Sequence, residues 1–133
     1  MKKILLPLDG SSCSEAAVSV AKDLADSAGA SIVTVVVGNL PETVGMAQEE
    51  RGELVAMLNR LAAEYHLQAQ PRIEMGGDPA QGILAVADEE DADVIVMATH
   101  GRSGLSELAQ GSVAHEVVRD GRKPVLLVRP KEG

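Results

Sequence analysis

Residues 93–118 read DVIVMATHGRSGLSELAQGSVAHEVV, and this stretch decides how the rest of the chain is understood. It opens on an apolar run, residues 94–97, of the kind that a strand buried on both faces requires. It closes on SVAHEVV, where apolar residues recur at helical spacing. Between the two lie Gly101, Gly104 and Gly111. Glycine costs roughly 0.5–1 kcal/mol relative to alanine inside regular structure. Three of them in one connection mark a backbone that turns sharply or is closely approached. A strand, a glycine loop and a helix follow one another here, and the fold class depends on whether strand and helix alternate elsewhere.

They do. KILLPL (Lys3–Leu8) reads as a buried strand that ends at the turn DGSS. A helix follows, with Ser12 as N-cap and Glu15 completing a capping box. Its expected apolar face is Ala16, Ala17, Val20, Leu24 and Ala28, and Gly29 suits its stop. SIVTVVV (31–37) is the second strand. From Gly38 to about Gln48 the chain reads as loop, with Pro41 and Gly45. A second helix then runs to about His66 and turns Leu54, Leu58, Leu61, Ala62 and Tyr65 inward. QPRIEM (70–75) is a third strand whose Pro71 suits a sheet edge. Asp78 is an N-cap and Pro79 a first helical residue, leading into Ile83, Leu84, Val86 and Ala87. The last turn of that helix is acidic (Asp88, Glu89, Glu90) and opposes the helix dipole, for which the sequence offers no reason. DVIVMA (93–98) is the fourth strand, SVAHEVVRDG (112–121) the fourth helix and PVLLVR (124–129) the fifth strand.

Alternation of this kind implies an α/β protein, a parallel sheet with helices on both faces, in a single domain over residues 1–133. In such sheets ligands bind beyond the carboxyl ends of the strands, where the strand order reverses. Asp9, the Val37–Gly38 junction and the glycine loop all fall at strand carboxyl ends.

Composition narrows the function. Of 133 residues, 45% are hydrophobic and 24% charged, a globular balance. With one Tyr and neither Phe nor Trp, the core is aliphatic and base-stacking platforms for single-stranded nucleic acid are disfavoured. A net charge of −8 with scattered Lys and Arg argues against nucleic acid and anionic membrane as partners. The lone Cys13 excludes an internal disulfide and Cys-pair metal sites. No apolar run reaches membrane-spanning length and the start does not resemble a signal peptide, so a cytoplasmic location is expected.

Gly111 and Ser112 stand at the start of the fourth helix, where unpaired N–H groups and the positive end of the dipole receive anions. Gly101 permits a second close approach. This is phosphate-cradle chemistry without the Walker lysine; a tight strand–loop–helix connection accounts for the same glycines equally well. At these residues the chain resembles the universal stress protein family, over nearly its whole length. KILLPLDGSSCSEAA is similar to that family's opening strand, acidic turn and first helix. GGDPAQGILAVADEEDADVIVMATHGRSG is similar to its third helix and fourth strand, and GSVAHEVVRDGRKPVLLVRP to its final helix and strand. The nucleotide-binding branch carries Gly-x2-Gly-x9-Gly-Ser/Thr. Here the frame reads Ala98-Thr99-His100-Gly101, nine residues, then Gly111-Ser112, with alanine at the first glycine. That alanine is tolerable if its φ is negative.

The resemblance implies a Rossmann-like, adenine-nucleotide-binding sheet of five parallel strands in the order 3-2-1-4-5. It implies that Gly101, Arg102, Gly111, Ser112 and Val113, with Met97 and Ala98 beneath them, hold the triphosphate and ribose of ATP. Asp9, with backbone from Pro7 and Leu8, lines the adenosine side, and Val37 offers backbone to the adenine. Val36 stands where the family often has histidine. Mg²⁺ would come with the nucleotide phosphates and Asp9, and a homodimer would form through the last strand.

The remaining residues carry weaker signals. Asp9 is a ribose or Mg²⁺ ligand, or a turn-forming Asp before Gly10. His100 reads first as a backbone-bonded histidine, His66 and His115 as surface residues, and Cys13 as a small core residue. Ser103-Gly104 does not complete a nucleophile elbow, because Leu105 holds the last position. No general base is placed to activate water. The expected function is an ATP-binding stress-response switch, homodimeric, with little or no hydrolysis and at most slow autophosphorylation. The alternative is a dimeric interaction protein of the same fold that binds no nucleotide.

Overall fold

The computed structural model describes residues 1–8, 12–38, 44–64, 69–75, 78–98 and 112–129. Strand and helix alternate along the chain as β1 (Lys3–Leu8), α1 (Ser12–Ala28), β2 (Ser31–Gly38), α2 (Val44–Glu64), β3 (Ala69–Met75), α3 (Pro79–Glu89), β4 (Val94–Ala98), α4 (Ser112–Asp120) and β5 (Val125–Val128). The strands are hydrogen-bonded side by side in the order β3-β2-β1-β4-β5, and every pairing is parallel. The α/β class and the parallel sheet are those that the alternating pattern implies.

The pleat divides the apolar side chains between two cores. Leu5, Val33, Val35, Ile95 and Met97 pack with Ile83 and Val86 of α3 and with Val113 and Val117 of α4. Ile4, Leu6, Ile32, Val36, Val94 and Val96 pack on the other face with Ala17, Val18 and Ala21 of α1 and Leu58 and Leu61 of α2. Odd-numbered strand residues thus belong to one core and even-numbered ones to the other, as a period of two dictates. This explains why the central strands read as unbroken apolar runs. Each such side chain, fully buried, is worth about 1.5–3 kcal/mol.

Two helices depart from the sequence reading. In α1 the buried positions are Ala17, Val18, Ala21 and Ala25, whereas Val20 and Leu24 only flank the core and Ala28 is exposed. The row of alanines lets the helix lie close to the sheet, and the larger side chains fill the margins. Helix α2 begins at Val44, inside the stretch read as loop. Gly45 falls in its first turn, where the backbone N–H groups lack helical partners anyway and a glycine is no breaker. The side chains of Cys13 and Leu54, and Tyr65 altogether, lie outside what is described.

Helix α3 shows how its ends are made. Asp78 is the N-cap, with φ −80° and ψ 120°, and its carboxylate accepts from the Ala80 N–H at 2.9 Å. At the far end Asp91 adopts φ 53°, the Ala92 N–H reaches the Ala87 carbonyl at 3.0 Å and the Asp91 N–H reaches that of Asp88 at 3.2 Å. This is a Schellman stop with aspartate in the left-handed position that glycine usually takes. For Glu90, the last residue of the acidic turn, a reason is visible here. Glu90 Oε1 lies 3.2 Å from Lys3 Nζ, and Asp91 Oδ1 lies 3.2 Å from Lys123 Nζ. The carboxylates tie the end of α3 to the start of β1 and to the α4–β5 turn.

Asp93 fastens the same rim. Its Oδ2 accepts from the Lys2 N–H at 2.7 Å and the Lys3 N–H at 2.9 Å, while its own N–H donates to the Lys3 carbonyl at 2.8 Å. The two backbone donors hold the Asp93 carboxyl below its ordinary pKa, assisted by the N-terminal amine and Lys123. A carboxylate whose pKa is depressed on folding contributes stability that is complete above its unfolded value and is lost as pH falls through the folded one. Asp93→Ala should therefore lower the urea midpoint at neutral pH. The gap to wild type should shrink once the pH is taken below about 4. A gap that is constant with pH would show that the charge is not what holds β1.

Candidate functional site at the carboxyl edge of the sheet

The strand order reverses between β1 and β4, since β2 and β3 lie to one side and β5 to the other. Main-chain pairing between these two strands is short. It comprises Ile4↔Val94 and Leu5↔Ile95, although β1 runs on to Leu8 and β4 to Ala98. Past those pairs lie Pro7 and Leu8 on one strand and Met97 and Ala98 on the other, all of them buried. On the far side of β1, Leu8 pairs with Val36 of β2, and β2 continues through Val37 and Gly38, which pair with Glu74 and Met75 of β3.

Helix α4 sits over this edge. Val113 is 8% exposed, Ala114 2% and Val117 0%, and all three share a core with Met97. Because β4 and β5 are parallel, α4 runs back along the sheet between them, and its first turn, beginning at Ser112, lies toward the carboxyl edge. That first turn holds no carboxylate, and Arg119 occupies the last. The positive end of the dipole is therefore not neutralised from within, while the negative end is met by a cation. Arg119 donates to both carboxylate oxygens of Asp120, at 2.8 and 3.1 Å, which raises the arginine pKa and lowers that of the aspartate.

The structure thus brings Pro7, Leu8, Val37, Met97, Ala98, Ser112 and Val113 to one edge. Asp9, His100, Gly101, Arg102 and Gly111 lie outside the described residues. His115 is exposed on α4. Among the described residues no group of three His, Cys, Asp or Glu could hold a metal. Among them too, no helix is long and apolar enough to cross a membrane.

Ala98 answers the one departure from the glycine frame. Among the described residues the only non-glycine with positive φ is Asp91, so Ala98 has the negative φ of an ordinary strand residue and bears no strain. Its methyl is fully buried. Sequence reasoning missed the shortness of the β1–β4 ladder. The available signal was Pro7, a proline inside an otherwise apolar central strand.

In open parallel α/β sheets ligands bind beyond the carboxyl ends of the strands where their order reverses, and here that point lies between β1 and β4. Comparison with known proteins gives the family. The family model described as Universal stress protein family matches residues 1–129, and the chain belongs to that family. It is 32% identical over 144 residues to a universal stress protein of Methanocaldococcus jannaschii, covering 98% of this chain and 84% of the relative. A universal stress protein family structure from Burkholderia pseudomallei superposes with a TM-score of 0.71 at 30% identity, covering 98% and 96% of the two chains. A universal stress protein crystallised in complex with cAMP gives 0.69 at 27% identity, covering 98% of each.

Ala98→Gly would restore the glycine of the frame, but there is no backbone strain for it to relieve. It should lower unfolding stability by roughly 1 kcal/mol, the conformational freedom of glycine together with a lost buried methyl. Denaturant titration measures this, and a stabilised variant would contradict the backbone geometry.

Proposed function

We propose that this universal stress protein binds an adenine nucleotide, ATP with Mg²⁺, at the carboxyl edge of the sheet and works as a homodimeric switch. One observation carries the reading. The first turn of α4, free of carboxylates, lies toward the carboxyl edge of the sheet, where the strand order reverses between β1 and β4. An anion and a flat base can be received together at such a place. The likeness to a relative crystallised with cAMP supports the choice of an adenine nucleotide.

In this reading residues 1–133 form one Rossmann-like domain on a five-strand frame of order 3-2-1-4-5. Gly101, Arg102, Gly111, Ser112 and Val113 hold phosphate and ribose, over Met97 and Ala98. Asp9, Pro7 and Leu8 line the adenosine side, Asp9 completes the Mg²⁺ shell and Val37 meets the adenine through its backbone. Mg²⁺ supplies charge neutralisation between phosphate oxygens. Binding proceeds with little or no hydrolysis in this reading. The switch requires that ATP bind one state of residues 99–110 more tightly than another, since equal affinity moves no equilibrium. The chain acts in the cytoplasm.

Added Mg·ATP at about a hundred times its dissociation constant should stabilise the fold by roughly 2.7 kcal/mol, a rise of several degrees in the thermal midpoint. Gly111→Val should abolish that rise. No shift at millimolar ATP, ADP, AMP or cAMP would remove the reading.

The dimer has its own support. On β5, at the sheet edge, Leu126 is 41% and Leu127 44% exposed. Exposed edge strands with large apolar side chains pair with another chain. Leu127→Asp should convert a dimer to a monomer in analytical ultracentrifugation; a wild type that already sediments as a monomer would exclude the homodimer.

A further inference from the structure

The outer strands of the sheet are β3 and β5, and among the described residues no strand lies beyond either. Successive residues of a strand turn their main-chain polar groups to opposite sides, so on an outer strand every second residue points its N–H and C=O away from the sheet. The bonds of the inner strands fix which residues these are.

The Ser31 N–H donates to the Lys2 carbonyl at 2.9 Å, so odd-numbered residues of β2 face β1 and even-numbered ones face β3. In the register Ile32↔Ala69 through Gly38↔Met75, a β2 residue that faces β3 bonds to the residues on either side of its partner. Gln70, Arg72 and Glu74 therefore serve β2, while Ala69, Pro71, Ile73 and Met75 present their main chain to the free edge. The pairing with β2 runs unbroken through Pro71, as it can when the nitrogen that lacks a hydrogen points outward. At the other edge the Ile95 N–H donates to the Pro124 carbonyl at 2.9 Å. In the register Ile95↔Val125 through Ala98↔Val128, Leu126 and Val128 serve β4. Val125 and Leu127 present intact N–H and C=O groups outward.

The two edges differ at their centres. β5 offers an unbroken row of donors and acceptors, with the Leu127 side chain exposed beside it. On β3 the proline withholds a donor, and a ring carbon stands where the hydrogen would be. A further strand at the ladder spacing of about 4.8 Å would lose a bond there and meet the ring. Proline on an edge is one means by which sheets resist edge-to-edge addition. For assembly the difference is decisive. A β5 edge paired with its own copy makes a closed two-fold contact, whereas any contact through β3 as well would link copies without end.

We propose that Pro71 confines the addition of further copies to the β5 edge, so that assembly closes at two chains instead of running on through β3. The closure at two rests on the homodimer reading above; the block at β3 stands without it.

Pro71→Val, which restores the donor with a strand-forming residue, tests this alone and combined with Leu127→Asp. The readouts are sedimentation over a range of concentrations and amide hydrogen exchange. Leu127→Asp should sediment as one chain. With Pro71→Val added, the mass should rise reversibly with concentration toward that of two chains. The new amide at residue 71 should exchange freely in the dilute single chain and become protected as chains associate. In the otherwise wild-type protein, Pro71→Val should give species larger than two chains. If valine impairs folding, Pro71→Ala takes its place with the same expected direction. A folded double variant that stays a single chain at high concentration overturns the proposal, as does association that dilution does not reverse. Protection of the residue 71 amide in the dilute single chain overturns it too, since that amide would then not face a free edge. A wild type that sediments as one chain overturns the homodimer reading and the closure at two, and the pair of variants carrying Leu127→Asp still decides the block at β3.

Discussion

Strand β1 is hydrogen-bonded along both edges and buried on both faces, and this double demand organises the molecule. A parallel strand cannot leave one face in water without exposing half of an apolar run. Ile4 and Leu6 therefore need one layer of helices, and Leu5 needs another. The alternation along the chain meets that need. Because the strands are parallel, every crossover starts from the same edge, and the segments that leave the strands collect there.

Two placements meet at the carboxyl edge of the sheet. The strand order reverses between β1 and β4. The buried row Val113, Ala114 and Val117 seats α4 so that its amino end arrives at the same level. None of these residues needs to be charged. In the proposed reading, a receptive site for an anion is built from backbone orientation and aliphatic packing, in a protein whose net charge is −8.

Much of the fold class was legible because period and punctuation agree. The apolar runs, the Asp78-Pro79 helix start and the stop at Gly29 each specify local structure by a local cause. The errors fall where local cause is silent. In α1 alanine stands on several faces, so spacing could not say which face lies inward. In α2 Gly45 was ambiguous between a breaker and a first-turn residue. The bonds from Asp93 to Lys2 and Lys3 span about ninety positions, and no window of sequence reveals them. At the candidate site Pro7 was a visible anomaly whose meaning needed the register. The glycine frame was visible too, but its assignment to a nucleotide came from resemblance to a family and not from the spacing itself.

The two rims of the sheet are made of different materials. At the amino rim, Lys2, Lys3, Glu90, Asp91, Asp93 and Lys123 interlock through charged contacts that join β1, α3, β4 and the α4–β5 turn. At the carboxyl rim the described strand ends, Pro7, Leu8, Met97 and Ala98, are buried and uncharged. With the proposed ligand at the carboxyl rim, anchorage and recognition are separated by the length of a strand. Descendants of such a chain can rewrite the loops at one end, and so the ligand or the listener, without disturbing the knot at the other.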